Sequence, residues 1–166
     1  MSENTQEGNK KAREIVSGIS DIMDSTKTQR YCSNEIVNAV LFDKTSVAKE
    51  ESIKIIDDII LDNNTGIADF DICRVFINLL DNSINALKNY TGDDKLLYLS
   101  CKQDNDHIFI KCENKFSETI RKPEKKPELH GYGMKIVKDI TEKYNGELIT
   151  QIQDTTFSTL AILKTE

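Results

Sequence analysis

The sequence predicts an α+β protein: a two-layer α/β sandwich with helices packed on one face of a mixed, mostly antiparallel sheet. Three observations carry that expectation. Residues 69–89 hold apolar side chains at helical spacing. Two pairs of β-rich runs, 96–102 with 107–113 and 148–152 with 157–163, each meet at a turn, as hairpins do. A second amphipathic segment, 131–144, separates the two hairpins. The resulting order is α-α-β-α-β-β-loop-α-β-β, which suits helices gathered on one side of a sheet.

Residues 1–9 are polar, and Ala12, Ile15, Val16, Ile19, Ile22 and Met23 then follow helical spacing to about Ser25. This is an N-terminal helical extension, and a first unit of residues 1–29 is expected ahead of a second unit of 30–166. Ser33 is a good N-cap type, and Ile36, Val37, Val40 and Leu41 continue at core spacing, so a helix is expected to about Lys49. Residues 52–61 are rich in Ile and read as a strand, and Asp62 to Gly66 form a turn cluster. In the helix over 69–89 the apolar stripe is Ile72, Val75, Phe76, Leu79, Leu80, Ile84 and Leu87. Lys115 to Leu129 contains both prolines and a mixed charge run, and is expected to be a mobile loop. Asn145-Gly146 should close the helix over 131–144 with a left-handed cap.

A length of 166 residues with 38% apolar content suits one domain plus that extension. The net charge of −6 argues against a nucleic-acid partner, which calls for a basic face. The four cysteines show no C-x-x-C spacing, so neither a zinc site nor a disulfide framework is expected, and Cys101 and Cys112 read as small core residues. There is no signal peptide and no apolar run near 18 residues, so no membrane contact by this domain is expected.

The chemistry sits on two motifs. The polar stripe of the 69–89 helix carries Arg74, Asn78, Asp81, Asn82 and Asn85. Asn and Asp are poor helix formers, so this face is not chosen for helix stability. Either it is merely solvated, or its oxygens, one turn apart, serve a hard cation. The second motif is His130-Gly131-Tyr132-Gly133-Met134-Lys135, opening into an apolar-periodic helix. Glycines at a helix start let the backbone approach an anion and leave free N–H groups facing it. Gly131 as an entry turn and Gly133 as a packing glycine is the plainer alternative.

Together, and in this order, the two motifs resemble the GHKL ATPase superfamily, whose Bergerat fold is the sandwich expected above. Asn78-Leu79-Leu80-Asp81-Asn82-Ser83 is similar to its N box, and Gly131-Tyr132-Gly133-Met134 to its G2 box. The closest resemblance is to the catalytic domain of quorum-sensing, Agr-type sensor histidine kinases, with residues 30–44 resembling the segment that leads into it. The resemblance implies ATP and Mg²⁺ as ligands. It implies that Asn82 binds the metal and that Asn78 assists, both being catalytic. Asp81 would ligate through water or be solvated, and Asn85 would reach phosphate. Asn114 would accept from the adenine amino group in place of the usual Asp. His130, Gly131, Tyr132, Gly133, Met134 and Lys135 would line the nucleotide, Lys135 either contacting phosphate or pointing to solvent. An amide at position 78 cannot take a proton from water, which favours phosphoryl transfer over hydrolysis.

The implied activity is that of a protein-histidine kinase catalytic domain. It would pass the γ-phosphoryl of Mg-ATP to a histidine outside this chain and from there to a response regulator. A preceding helical domain of the full-length protein would form a homodimer, residues 1–29 being the end of its dimerisation helix or else an ordinary packing helix, and the location would be cytoplasmic, as the cytosolic part of a membrane-bound sensor. His107 falls in a strand and His130 in the lid, so neither suits an acceptor. No Gly-x-x-x-x-Gly-Lys-Ser/Thr loop is present. The rival readings are an anti-sigma-factor type serine kinase of the same superfamily and a catalytically weak docking domain.

Overall fold

The computed structural model describes residues 30–117 and 131–165. The chain divides into two units, Met1–Arg30 and Tyr31–Glu166, and the account below is of the second. The helix expected over 12–25 and the loop residues 118–130, His130 among them, lie outside the described residues.

The elements run α1 (Glu35–Glu50), β1 (Lys54–Ile60), α2 (Asp69–Lys88), β2 (Leu96–Gln103), β3 (His107–Lys115), α3 (Gly131–Lys143), β4 (Glu147–Gln153) and β5 (Thr156–Lys164). The five strands form one sheet in the order β1-β2-β3-β5-β4. Only β1 and β2 pair in parallel; the other three pairings are antiparallel. This is the expected mixed sheet.

Each helix forms because its apolar stripe has somewhere to go. In α2 the residues Ile72, Val75, Phe76, Leu79, Leu80, Ile84 and Leu87 are all buried. They meet one face of the sheet, where Leu97, Leu99, Ile108, Ile110, Ala161 and Leu163 alternate inward. Cys101 and Cys112 are buried on the same face, as their apolar settings predicted, and burial pushes both thiols up to about 12. None of the four cysteines is joined in a disulfide. No helix among the described residues is long and apolar enough to cross a membrane.

Three local expectations change. The cap of α1 is Asn34, not Ser33. The Asn34 carboxamide oxygen accepts from Val37 N at 3.0 Å, while its NH₂ reaches the Asp62 carbonyl at 3.4 Å, so one side chain caps the helix and ties it to the loop after β1. Ser52 is not in the strand: it takes a left-handed φ of 58° in the turn after α1, and β1 begins at Lys54. Lys115 is not in the loop, because β3 continues past Glu113. Asn114 and Lys115 pair with Phe157 and Thr156 of β5, and that ladder outweighs their low strand propensity. The helix over 131–143 ends as expected, with Asn145 at φ 50° and Gly146 N bonded to the Thr141 carbonyl at 2.8 Å.

Candidate functional site

Asn78, on the polar stripe of α2, lies against the start of α3, and the two motifs meet there. Asn78 is half-buried, and its NH₂ donates to the Arg74 carbonyl one turn back at 2.6 Å. That bond turns the amide oxygen toward α3. A Cβ built on Gly133 would stand 2.6 Å from Asn78 Oδ1, closer than real side chains tolerate. Glycine at 133 is therefore what lets the first turn of α3 approach Asn78. Gly131, at φ 80°, opens the helix in a conformation that favours glycine and has open space around it.

Met134 is buried and anchors α3, whereas Tyr132 and Lys135 are exposed. Asn82 is half-buried one turn along from Asn78, and Asn85 is exposed, its carbonyl accepting from Asn89. Asp81 has a partner that the sequence did not suggest: Lys44 of α1, whose Nζ lies 2.7 Å from Asp81 Oδ1. Among the described residues there is no group of three or more His, Cys, Asp or Glu side chains able to hold a metal. A divalent cation on this stripe would have to take the amide oxygens of Asn78 and Asn82 and complete its shell from phosphate and water, as Mg²⁺ does.

Asn114 stands at the other end of α2. It is 2% exposed, between Leu97 of β2 and Phe157 of β5 in the ladder. Its NH₂ donates to the Lys115 carbonyl at 3.0 Å. Its Oδ1 is buried without a hydrogen-bond partner, alone in this among the described side-chain atoms. Such an atom costs about 1–3 kcal/mol until a donor reaches it. The adjoining helix surface is polar too: Ser83 is buried against Cys112. An acceptor at one end and an anion-friendly helix start at the other fit a nucleotide.

A network the sequence did not announce pins the far end of α3. Asp71, 7% exposed, accepts from Lys143 Nζ at 2.6 Å and from Tyr144 Oη at 2.8 Å, and Tyr144 Oη accepts from Ala68 N at 3.1 Å. Burial pushes the Asp71 carboxyl up, but the bonds from Lys143 and Tyr144, with the Lys143 and Arg74 charges, prevail and hold it below the usual 3.8. The only sequence signal was an acid seven residues before Asn78, on the same helix face. Asp71→Asn should cost about 1–3 kcal/mol near neutral pH, because Asn cannot accept two charge-assisted bonds equally well. A folded-state pKa below 3.8 means the carboxylate's contribution is complete above that pH and is lost as pH falls through the folded value. Chemical denaturation at pH 7 and near pH 3 checks this: the gap between wild type and variant should narrow in acid.

A shallow recess of about 280 Å³ lies on the opposite, open face of the sheet, lined by Glu113, Gln151, Gln153, Asp154, Thr156 and Ser158. Two carboxylates in its wall make it a poor seat for a polyphosphate.

A family model described as GHKL domain matches residues 67–163, which include α2, α3 and every strand from β2 to β5. No curated protein matches the chain in sequence. Among solved structures, the nucleotide-free catalytic domain of histidine kinase ThkA superposes with a TM-score of 0.60 at 15% identity, covering 79% of this chain and 90% of that one. The histidine kinase AdeS of Acinetobacter baumannii gives 0.55 at 14% identity, covering 100% and 86%. A histidine kinase from Burkholderia phymatum STM815 gives 0.61 at 9% identity, covering 93% and 80%. At these identities the likeness is one of fold.

Proposed function

The chain belongs to the GHKL domain family, and from that membership we propose that it is the ATP-binding catalytic domain of a sensor histidine kinase. One observation carries the reading. Gly133 brings the start of α3 against Asn78, so the free N–H groups of a helix terminus lie beside the Asn78 amide, with Asn82 one helical turn along. That arrangement suits the phosphates, and the unpartnered oxygen of Asn114 suits the base.

The roles follow from the donor set. Asn82, with Asn78, would hold Mg²⁺ by amide oxygens, and the ion would supply neutralisation of charge on the transferring phosphoryl group. Gly131 and Gly133 keep the backbone low, with Tyr132, Met134 and Lys135 on the same turn. Asp81 and Asn85 border the site. Asn78 hydrogen-bonds but takes no proton, so the site positions a phosphoryl group for a nucleophile other than water. Asn114 sets the base. Its NH₂ is engaged by the Lys115 carbonyl, so the amide presents an acceptor. An acceptor pairs with the amino group of adenine and faces the carbonyl of guanine unfavourably.

The phosphoryl group then goes to a histidine outside this chain and on to a response regulator. ThkA, of the same fold, is known in complex with the response regulator TrrA. In this reading residues 30–166 are the catalytic unit, and residues 1–29 join it to the dimerising part of the sensor. The location is cytoplasmic, and the resemblance of residues 30–44 supports a sensor of the quorum-sensing type.

Calorimetry tests the nucleotide half of this reading: Mg-ATP should bind at least tenfold more tightly than Mg-GTP, about 1.4 kcal/mol. Equal affinity would remove the role of Asn114, and no binding of either would remove the reading. Transfer is tested by adding a kinase's acceptor-histidine helical domain to the chain with γ-labelled ATP. Acid-labile, base-stable label should appear on the added domain and not on the chain alone.

A further inference from the structure

Lys44 has no part in the site as derived above, yet it reaches it. Its side chain is only 15% exposed, and its Nζ lies 2.7 Å from Asp81 Oδ1. Asp43 is a second carboxylate, farther off at 3.9 Å. The helices fix this placement: α1 and α2 run alongside in one direction, so that Lys44 meets Asp81 and, seven residues later in each, Glu51 meets Lys88 at 3.1 Å.

Asp81 sits awkwardly for an anion site. It precedes Asn82 and lies one turn beyond Asn78, whose Cβ is about 5–6 Å away at that spacing. A polyphosphate on the amide pair would therefore lie within a Debye length, about 8 Å at physiological salt, of a carboxylate 44% exposed. The remaining stripe offers little to offset it. Arg74 stands over the Phe70 ring, 5.2 Å from its centroid, and Lys88 is paired with Glu51.

We propose that Lys44 is a positioning residue for the phosphate end of the site: by pairing with Asp81 it cancels the carboxylate beside the amide pair and so allows a polyphosphate to dock there. This rests on the nucleotide reading of α2. It makes nucleotide affinity depend on a helix outside both motifs. It also makes Asp81 useful only as a tie between α1 and α2.

The test compares four chains by calorimetry with Mg-ATP, and by displacement of a fluorescent ATP analogue with adenosine, which carries no phosphate. Lys44→Met keeps the apolar stem of the side chain and removes the charge. Mg-ATP affinity should fall roughly tenfold at low salt, with the gap closing as ionic strength rises, while adenosine affinity stays unchanged. Asp81→Asn alone should bind Mg-ATP at least as tightly as wild type. The double variant Lys44→Met/Asp81→Asn should recover to within about twofold of wild type. Unchanged Mg-ATP affinity in Lys44→Met overturns the inference. So does a double variant no better than the single, or an equal loss for adenosine, which would mark a structural role. Absence of Mg-ATP binding by the wild-type chain overturns the nucleotide reading itself.

Discussion

Asn82→Ala should abolish Mg²⁺-dependent nucleotide binding, weakening Mg-ATP on the order of a hundredfold or more, about 2.7 kcal/mol. The proposed metal shell takes its protein oxygens from two amides, and no acidic cluster among the described residues stands ready to replace one. The substitution removes an oxygen and leaves the helix intact. Asn82 lies half-buried on the polar stripe, outside the apolar set that packs on the sheet, and Ala is the better helix former by roughly half a kcal/mol. The thermal midpoint should therefore stay within about 3 °C of wild type. Calorimetry with and without Mg²⁺, beside a melt, checks both halves. Retained affinity would count against the metal role, and a collapsed midpoint would make Asn82 a structural residue.

Gly146→Ala should be the most damaging single change to the fold. A Cβ at 146 would overlap the backbone carbonyl oxygen of Ile162 and press on Ile162 C and Leu163 Cα. A flexible side chain could swing aside, but this neighbour cannot. Ile162 is laddered to Phe109 of β3 on one side and Glu147 of β4 on the other. Relief requires the β4–β5 pair to part or the cap of α3 to move. A cost of about 3 kcal/mol or more is expected, with the midpoint lower by roughly 10 °C or more. Gly131→Ala is the natural control. It meets nothing within 4 Å and carries only the strain of a positive φ, about 1–2 kcal/mol. Equal midpoints for the two variants would refute the close-approach argument.

The contrast between these glycines shows what the sequence disclosed. Gly131 and Gly133 stood out because they open a periodic helix, and in the structure Gly133 lies against Asn78. Gly146 was legible only as a cap partner, because its real constraint is a strand sixteen residues on, and local pattern carries no trace of such contacts. The helix over 69–88 and both hairpins were legible for the opposite reason: each is a periodicity within one short window. Asn114 escaped as a strand residue because Glu113-Asn114-Lys115 is polar, and only pairing with Phe157 and Thr156 holds it extended. Lys44 and Asp71 escaped as well. Their partners, Asp81 and Lys143, lie on other helices, and an ion pair between helices follows from packing rather than from either segment's pattern.

The place of β5 has a consequence for how the chain is made. β5, the last strand of this domain to be synthesised, lies inside the sheet, hydrogen-bonded to β3 and to β4. Until Thr156–Lys164 has emerged, β3 presents a bare edge to the surroundings and β4 has no ladder at all. Cotranslational folding can proceed through the β1–α2–β2–β3 portion and must then wait for β5, with an unpaired strand exposed meanwhile. A ribosome stalled before Thr156 would therefore hold a chain open to chaperones and proteases rather than a nearly finished domain.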